Sequence, residues 1–352
     1  MAGDQPFLRH EFLAALEATG CVSQQAGWIP KHVTLWENNM LTGAMPLYIK
    51  SHSYGEYVFD WAWADAYQRH GIRYYPKLVN ATPFTPVTGQ RLLAASERDR
   101  QLLLSAALKL AQDIGASSLH CLFPTQNQAQ EMQSQGMMLR SGVQFHWQNN
   151  NYTDFDGYLA GMSHDKRKKI KQERRKVSDS GITFEHITGR DITDVQWAFF
   201  NTCYQTTYRQ HRSTPYLNLD FFRQIGTTQP DNVLLIIASR DGNPIASALN
   251  FFNEHTLYGR YWGATEYAPG LHFEACYYQA IAFCIQHKIR AFEGGAQGEH
   301  KVARGFLPTP TWSAHWLAHP EFSHAVEEFL ERESRGIAQY INELSESSPF
   351  KR

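Results

Sequence analysis

A strand-turn-strand-strand pattern occurs twice in this chain. It reads HVTLWENNMLTGAMPLYIKSHSYGEYVFDWAWA from His32 and NVLLIIASRDGNPIASALNFFNEHTLYGRYWGA from Asn232. Each copy has a β-rich run, a polar turn and a strand of small residues, then a second turn and an aromatic strand. The first turns are Glu37-Asn38-Asn39 and Arg240-Asp241-Gly242-Asn243, and the copies end in Trp-x-Ala and Trp-Gly-Ala. Period-two alternation between such turns predicts antiparallel meanders. Recurrence at a fixed offset suggests one fold used twice, although mixed proteins commonly contain similar hairpins. The alignment makes the strand around Asp60-Trp61 the counterpart of the strand around Arg260-Tyr261.

A chain of 352 residues is long enough for two domains with their own cores. The polar stretch QNNNYTDFDG, residues 148–157, marks the boundary, giving domains of 1–152 and 153–352. With 43% hydrophobic and 19% charged residues the chain is ordered, and a net charge of -1 gives no global attraction for nucleic acid or membrane. No apolar run is long enough to span a bilayer, and the N-terminus lacks a signal-peptide pattern, so a cytoplasmic location is expected. Five cysteines without a Cys-x-x-Cys read as reduced, mostly buried thiols.

The periodicity predicts a helix from Phe7 to Thr19 closed by Gly20, then the first meander and an irregular, proline-rich stretch IRYYPKLVNATPFTPVTG. Ser96 caps a helix ending at Gly115, followed by a strand SSLHCLFP, a short helix and a strand GVQFHWQ. The second half opens with a highly charged helix, the strand ITFEHI and two helices, and then the second meander. A helix over 271–287, a strand RAFEGG, a Gly-rich loop and a strand TWSAHWLA come next. A C-terminal helix from Pro320 is expected to bury Phe322, Val326, Phe329, Ile337, Ile341 and Leu344. This order is α+β, a mixed sheet covered by helices.

Three segments concentrate chemistry. The loop GGAQGEHKVARGF, 294–306, brings Glu299, His300, Lys301 and Arg304 together beside three glycines at a strand end, where sites are usually built. SHDKRKKIKQERRKV, 163–177, carries eight Lys or Arg, and its Arg167, Lys168 and Lys171 suit a phosphate-bearing ligand unless the helix is simply solvated. KSHSYGEYVFDWAWADAY, 50–67, alternates polar and aromatic residues, so Lys50, His52, Tyr54, Glu56, Asp60 and Trp61 read as one groove-lining face. Its counterpart supplies Arg260 and Trp262, followed by His272 and Glu274. The chain has no G-x-S-x-G, P-loop, Rossmann glycine fingerprint or His-Glu-x-x-His, and His315 with His319 gives only weak grounds for a metal site, so none is assigned.

Taken together, DQPFLRHEFLAALEATG, KSHSYGEYVFDWAWADAY, FEGGAQGEHKVARGF and SAHWLAHPEF resemble the FemAB-like predicted N-acyltransferases, a peptidoglycan-associated branch of the GNAT superfamily. The resemblance implies two tandem GNAT-like domains, each a mixed sheet flanked by helices. It also implies that KRKKIKQERRKV corresponds to a basic stretch that meets substrate phosphates. Val302 to Phe306 loosely matches a Phe-Lys-x-Gly-Phe-like segment, with the lysine out of register. Where many GNAT enzymes carry a pyrophosphate-binding Arg/Gln-x-x-Gly-x-Gly/Ala turn, this chain reads TEYAPGLHFEAC, which argues against acetyl-CoA.

The expected activity is transfer of an acyl or aminoacyl group to an amine by direct attack, without a covalent enzyme intermediate. Glu299 or His300 is the expected base, Glu274 the alternative, and Lys301 or Arg304 the oxyanion partner. Acyl-CoA or aminoacyl-tRNA would enter as co-substrate, with no tightly bound cofactor, and a peptidoglycan precursor or related amine would accept. The rival expectation is a non-catalytic module that recognises peptidoglycan precursors or other anionic glycopeptides.

Overall fold

The computed structural model describes residues 4–295 and 298–351. The chain divides into two compact units, residues 1–143 with 310–341, and residues 144–309 with 342–352. The first boundary lies near the expected one, but residues 310–341, read from the sequence as part of the second half, belong to the first unit. Strand pairing explains this. Ser313 to Leu317 bond to Leu122 to Ser118, and Val326 and Leu330 of the last helix join Trp63, Tyr67 and Tyr74 in one apolar cluster.

The first unit contains α1 (His10–Ala18), β1 (Trp28–Pro30), β2 (Val33–Glu37), β3 (Met40–Met45), β4 (Tyr48–Lys50), α2 (Trp61–Arg69), β5 (Lys77–Asn80), β6 (Leu93–Ala94), α3 (Glu97–Asp113), β7 (Ser118–Leu122) and α4 (Gln126–Ser134). It also takes the first part of β8 (Met138–Gln148) and most of β14 (Leu307–Leu317) and α11 (Pro320–Glu346). One sheet runs β1-β4-β5-β7-β14 and a smaller one β2-β3-β6. β5 and β7 are parallel and are joined through α3, while β4–β5 and β7–β14 are antiparallel. Ser96 caps α3 by accepting from the Asp99 amide at 3.0 Å, and α3 buries Leu103, Leu104, Ala107 and Ala111.

The second unit contains α5 (Phe155–Ala160), α6 (His164–Asp179), β9 (Ile182–Thr188), α7 (Asp194–Gln210), α8 (Leu219–Thr228), β10 (Val233–Arg240), β11 (Asn243–Phe252), β12 (Thr256–Ala264) and β13 (Ala291–Glu293). Between β12 and β13 a continuous helix runs as α9 (Leu271–Phe273), a π turn (Glu274–Tyr278) and α10 (Gln279–Gln286). The sheet order is β8-β13-β12-β11-β10-β9, with β12 and β13 parallel. Each unit is thus a mixed sheet flanked by helices, with one parallel pair linked by a crossover helix, as expected of tandem GNAT-like folds.

The duplication holds, but with a different alignment. Both expected hairpin turns form, with φ of 48° and 63° at Asn38 and Asn39 and 50° and 78° at Asp241 and Gly242. The second copy is a true meander, β10-β11-β12. In the first copy the third strand stops at Lys50 and leaves the β2-β3 sheet. Gly55 and Tyr57, at φ 82° and 60°, break the extended run, and Trp61 begins helix α2, whose Trp63 and Tyr67 are buried four residues apart. The topological counterpart of β12 is therefore β5, inside the segment read as irregular. The C-terminal stripe also needs correction: of the six residues expected to be buried along α11 only Val326 is, together with Leu330, and Phe329 is 39% exposed.

β12 is held against α7 by a near contact of backbones. A Cβ placed on Gly263 would lie 1.9 Å from the Cys203 carbonyl oxygen. Gly263→Ala should therefore cost about 1–3 kcal/mol or more, measured by urea denaturation; wild-type stability would contradict this close approach.

Candidate active site

β12 and β13 bond only at Thr256↔Ala291, Leu257↔Phe292 and Tyr258↔Glu293, after which β13 ends while β12 continues to Ala264. A parallel pair that parts in this way opens a crevice beyond its carboxyl ends, next to the start of the following helix. A bulge sharpens the parting: Asn250 faces Gly259 and Leu249 faces Tyr261, so the register skips Arg260. The helix that follows enters through Gly270 at φ 84° and widens into the π turn, a departure common at functional sites. Asn250, Arg260, Trp262, His272 and Cys276, with Gly294 and Gly295, line a cavity of about 120 Å³ here.

Glu293 is the last residue of β13 and lies in one cross-strand row with Tyr258 and His146. Its Oε2 is buried without a hydrogen-bond partner among the described residues, and His146 Nε2 is 4.0 Å away. Burial raises this carboxyl to about 8, against the pull of Arg260. Burial, helped by Lys301, lowers His146 to about 4, and burial with the charges of His300, Arg304 and Lys301 does the same to His272. Lys301 is buried and donates from Nζ to the Gly295 carbonyl at 3.0 Å; burial brings it down to about 8, opposed by Cys276. Such clustered suppression of charge is what acid-base sites use.

The expected site residues divide sharply. Arg260, Trp262 and His272 line the cavity, and Lys301 reaches its edge through Gly295. Glu274 is instead a strut, buried, paired with Arg174 at 3.1 Å and accepting from Gln279 at 2.8 Å. Arg304 is a strut as well. Its Nη2 donates to both Glu173 oxygens at 3.1 and 3.0 Å, its Nη1 donates to the His300 carbonyl, and its guanidinium lies 3.5 Å from the Phe273 ring centroid. Glu299 and His300 sit on a 3₁₀ turn, both exposed, with His300 Nε2 3.2 Å from the Tyr277 hydroxyl. Ala296 and Gln297, within the same loop, lie outside the described residues.

On α6, the inward stripe Ile170, Glu173, Arg174 and Val177 straps the helix to the π turn and the 3₁₀ turn. Lys171 pairs with Asp156 at 2.9 Å and lines, with Arg174 and Arg175, a second cavity of about 640 Å³. Arg167 and Lys168 are not among its lining residues.

The groove-lining face expected around residues 50–61 is also corrected. Lys50, Glu56 and Asp60 are buried, and they meet Lys77 rather than a groove. Lys77 Nζ donates to Ser53 and Glu56, each at 2.8 Å, and to Asp60. Burial moves both Lys50 and Glu56 to about 7, from above and from below. His52 contacts the Ala26 carbonyl, while Tyr54 and Trp61 remain exposed, their ring centroids 5.0 Å apart. His315 is buried against His120, and no cluster of metal-ligating residues occurs among the described residues. Sequence reasoning missed Glu293, His146 and Lys77. The one available signal for Glu293 was an acid closing a strand immediately before two glycines.

A family model described as FemAB-like, peptidoglycan biosynthesis/recognition, matches residues 1–352. No curated protein matches the sequence. Among solved structures, FemX superposes with a TM-score of 0.56 at 10% identity, covering 90% of this chain and 93% of its own. L-PGS from Bacillus licheniformis gives 0.56 at 11%, covering 93% and 98%. The C-terminal domain of a putative lysylphosphatidylglycerol synthetase from Agrobacterium fabrum gives 0.54 at 10%, covering 90% and 95%. At these identities the likeness is one of fold.

If Glu274 is a strut, removing its partner is costly. Arg174→Ala should destabilise the chain by about 1–3 kcal/mol in thermal or urea unfolding, and Arg174→Met with Glu274→Met should recover much of the loss. A stable single variant would return Glu274 to the list of candidate bases.

Proposed function

Since the chain belongs to the FemAB-like family, we propose that it is an N-acyltransferase, moving an acyl or aminoacyl group from an activated ester to an amine at the β12/β13 crevice. The observation that carries this reading is the Glu293 carboxyl, one oxygen of which is buried and takes no hydrogen bond among the described residues, where the two strands part. With its pKa near 8, Glu293 becomes the carboxylate as the pH rises toward and above 8, and in that form it accepts a proton from an incoming ammonium. The freed amine attacks the donor carbonyl carbon, and Lys301 at the cavity edge stabilises the oxyanion. Collapse breaks the ester C–O bond, and the proton held by Glu293 passes to the leaving oxygen. The freed carboxylate then takes the second proton from the acylated nitrogen, leaving a neutral amide, and releases it to solvent. No enzyme nucleophile is required; burial raises the Cys276 thiol, which keeps it protonated.

Aminoacyl-tRNA is the preferred donor, with acyl-CoA as the alternative, and neither is a tightly bound cofactor. Glu266, paired with Arg240, stands where a pyrophosphate-binding turn would need amides and positive charge. The tRNA phosphates are assigned to Arg167 and Lys168, which form no ion pair among the described residues, and to Lys171. A peptidoglycan precursor or related amine is the acceptor, and tRNA as donor implies the cytoplasm. No helix among the described residues is long and apolar enough to cross a membrane. One observation favours a recognition-only module: a cavity of about 120 Å³ is smaller than the roughly 300–1,000 Å³ usual for a ligand site, too little for both reactants without movement.

Glu293→Gln should keep the fold and lower turnover by about a hundredfold or more, assayed with aminoacyl-tRNA and CoA thioesters side by side. Wild-type activity should rise with pH to a plateau above about 8, where the carboxylate form dominates, and the variant should lose that limb. Full activity of Glu293→Gln would remove it as the base, and no transfer by the wild type from either donor would favour the recognition module.

Arg167→Ala with Lys168→Ala should weaken tRNA binding and flatten its salt dependence in filter-binding titrations. An unchanged slope would make α6 a solvated helix with structural straps.

A further inference from the structure

The cavity beyond β12 and β13 holds a polar group that the proposed transfer chemistry leaves unused. Asn250, on β11, is 1% exposed and lines the cavity, and its Nδ2 is buried without a hydrogen-bond partner among the described residues. Its Oδ1 takes no hydrogen bond among the described residues either, so a half-turn of the terminal amide presents either atom at no cost in bonds. The strands create this situation. Asn250 faces Gly259, which has no side chain to cover the amide, just before the register skips Arg260. A Cβ on Gly259 would lie 3.6 Å from Asn250 Oδ1 and 3.2 Å from the Phe292 ring, so the amide stands on the Phe292 face of the sheet. Glu293, the next residue of β13, is on the opposite face. From the 3₁₀ turn, Lys301 Nζ reaches the same opening: it and the Gly259 carbonyl oxygen each lie 3.8 Å from where a Cβ on Gly295 would be.

A buried amide nitrogen normally has a partner, and one left open beside a cavity is accounted for when the partner arrives with a ligand. Nδ2 donates, and an ammonium only donates, so together they select an accepting oxygen. A cavity of about 120 Å³ has room for a small carbonyl group rather than a whole ligand. We propose that Asn250 is a catalytic residue of this site, its Nδ2 donating, together with the Lys301 ammonium, to the carbonyl oxygen of the donor ester. This rests on the transfer reading. As the amine nitrogen bonds the carbonyl carbon, the π pair moves onto that oxygen, where the two donors meet its charge. The pair returns as the ester C–O bond breaks. Asn250 neither gains nor loses a proton, so its contribution is separate from that of Glu293.

The test uses the full chain and two readouts. In transfer assays with aminoacyl-tRNA and CoA thioesters, Asn250→Ala and the near-isosteric Asn250→Asp should lower kcat by about a hundredfold or more, with KM changed far less. Urea unfolding of each variant separates this from loss of the fold. The pH limb should keep its midpoint, because Glu293 is on the other face; lost kcat with a displaced midpoint would make Asn250 a packing residue and overturn the proposal. The second readout needs no turnover. The ¹⁵N–¹H₂ signals of Asn250, assigned by their loss in Asn250→Asp, should shift as the wild type is titrated with methylphosphonate, a small tetrahedral oxyanion. Lys301→Met should weaken that titration about tenfold or more. Wild-type kcat in Asn250→Ala overturns the proposal. If the wild type transfers nothing, the transfer reading fails and the signals decide: a saturable shift supports an oxygen-binding site at Asn250, and no shift overturns it.

Discussion

Two parallel strands stay bonded only while their backbones keep step, and in the second unit β12 and β13 fall out of step after Tyr258 and Glu293. The causes are local and physical. β13 ends at Glu293 and is followed by two glycines, β12 carries a bulge at Arg260, and Gly263 lets β12 lie against the Cys203 carbonyl of α7. The crossover helix meets the opening with a π turn, which a Glu274–Arg174 pair ties to α6, while a Glu173–Arg304 pair ties α6 to the 3₁₀ turn. Because the strands part, the ends of β12 and β13 border a cavity instead of more sheet. The electrostatics of Glu293, Lys301 and His272 follow from that geometry.

Charge is handled differently in the two units. Around Lys77, two lysines and two carboxyl groups are buried together. Lys77 donates to one oxygen of each acid and Tyr74 donates to Asp60 at 2.6 Å, while Glu56 Oε1 and Asp60 Oδ1 take no hydrogen bond among the described residues. Such a network fixes the irregular 51–60 segment and is costly to break. At Glu293 one carboxyl oxygen has no hydrogen-bond partner among the described residues, and Arg260 only partly offsets its burial. Both sites thus keep buried carboxylate oxygens without a hydrogen-bond partner, but the acids of the first have Lys77 in direct contact. Among the described residues, Glu293 has no cation within ion-pair distance except the burial-suppressed His146, and it adjoins Gly294, which lines the cavity.

What the sequence disclosed follows the range of the forces involved. Asn38-Asn39 and Asp241-Gly242 announce their turns because positive φ at both positions is a local demand. The charge density of α6 and the apolar face of the crossover helix are equally local. The alternation in KSHSYGEYVFDW misled because its acids turn inward to meet Lys77, a partner in a segment the prolines made look irregular. Residues 310–341 join the first unit through pairing with β7, a long-range choice with no local signature. Glu274 and Arg304 sit in plausible motifs, yet each is spent on an ion pair, whereas Glu293 is a single acid whose role depends on where two strands separate.

The Glu293 carboxyl at the end of β13, with one oxygen buried and without a hydrogen-bond partner among the described residues, is poised to exchange a proton near neutral pH. The most direct measurement is a ¹³C NMR titration of glutamate side-chain carboxyls, with the Glu293 resonance assigned by its loss in a Glu293→Gln sample. The midpoint of that resonance is expected near 8, set apart from the exposed glutamates. A midpoint in the ordinary carboxylate range would contradict it, because Glu293 would then be a charged, solvated or paired group like any other.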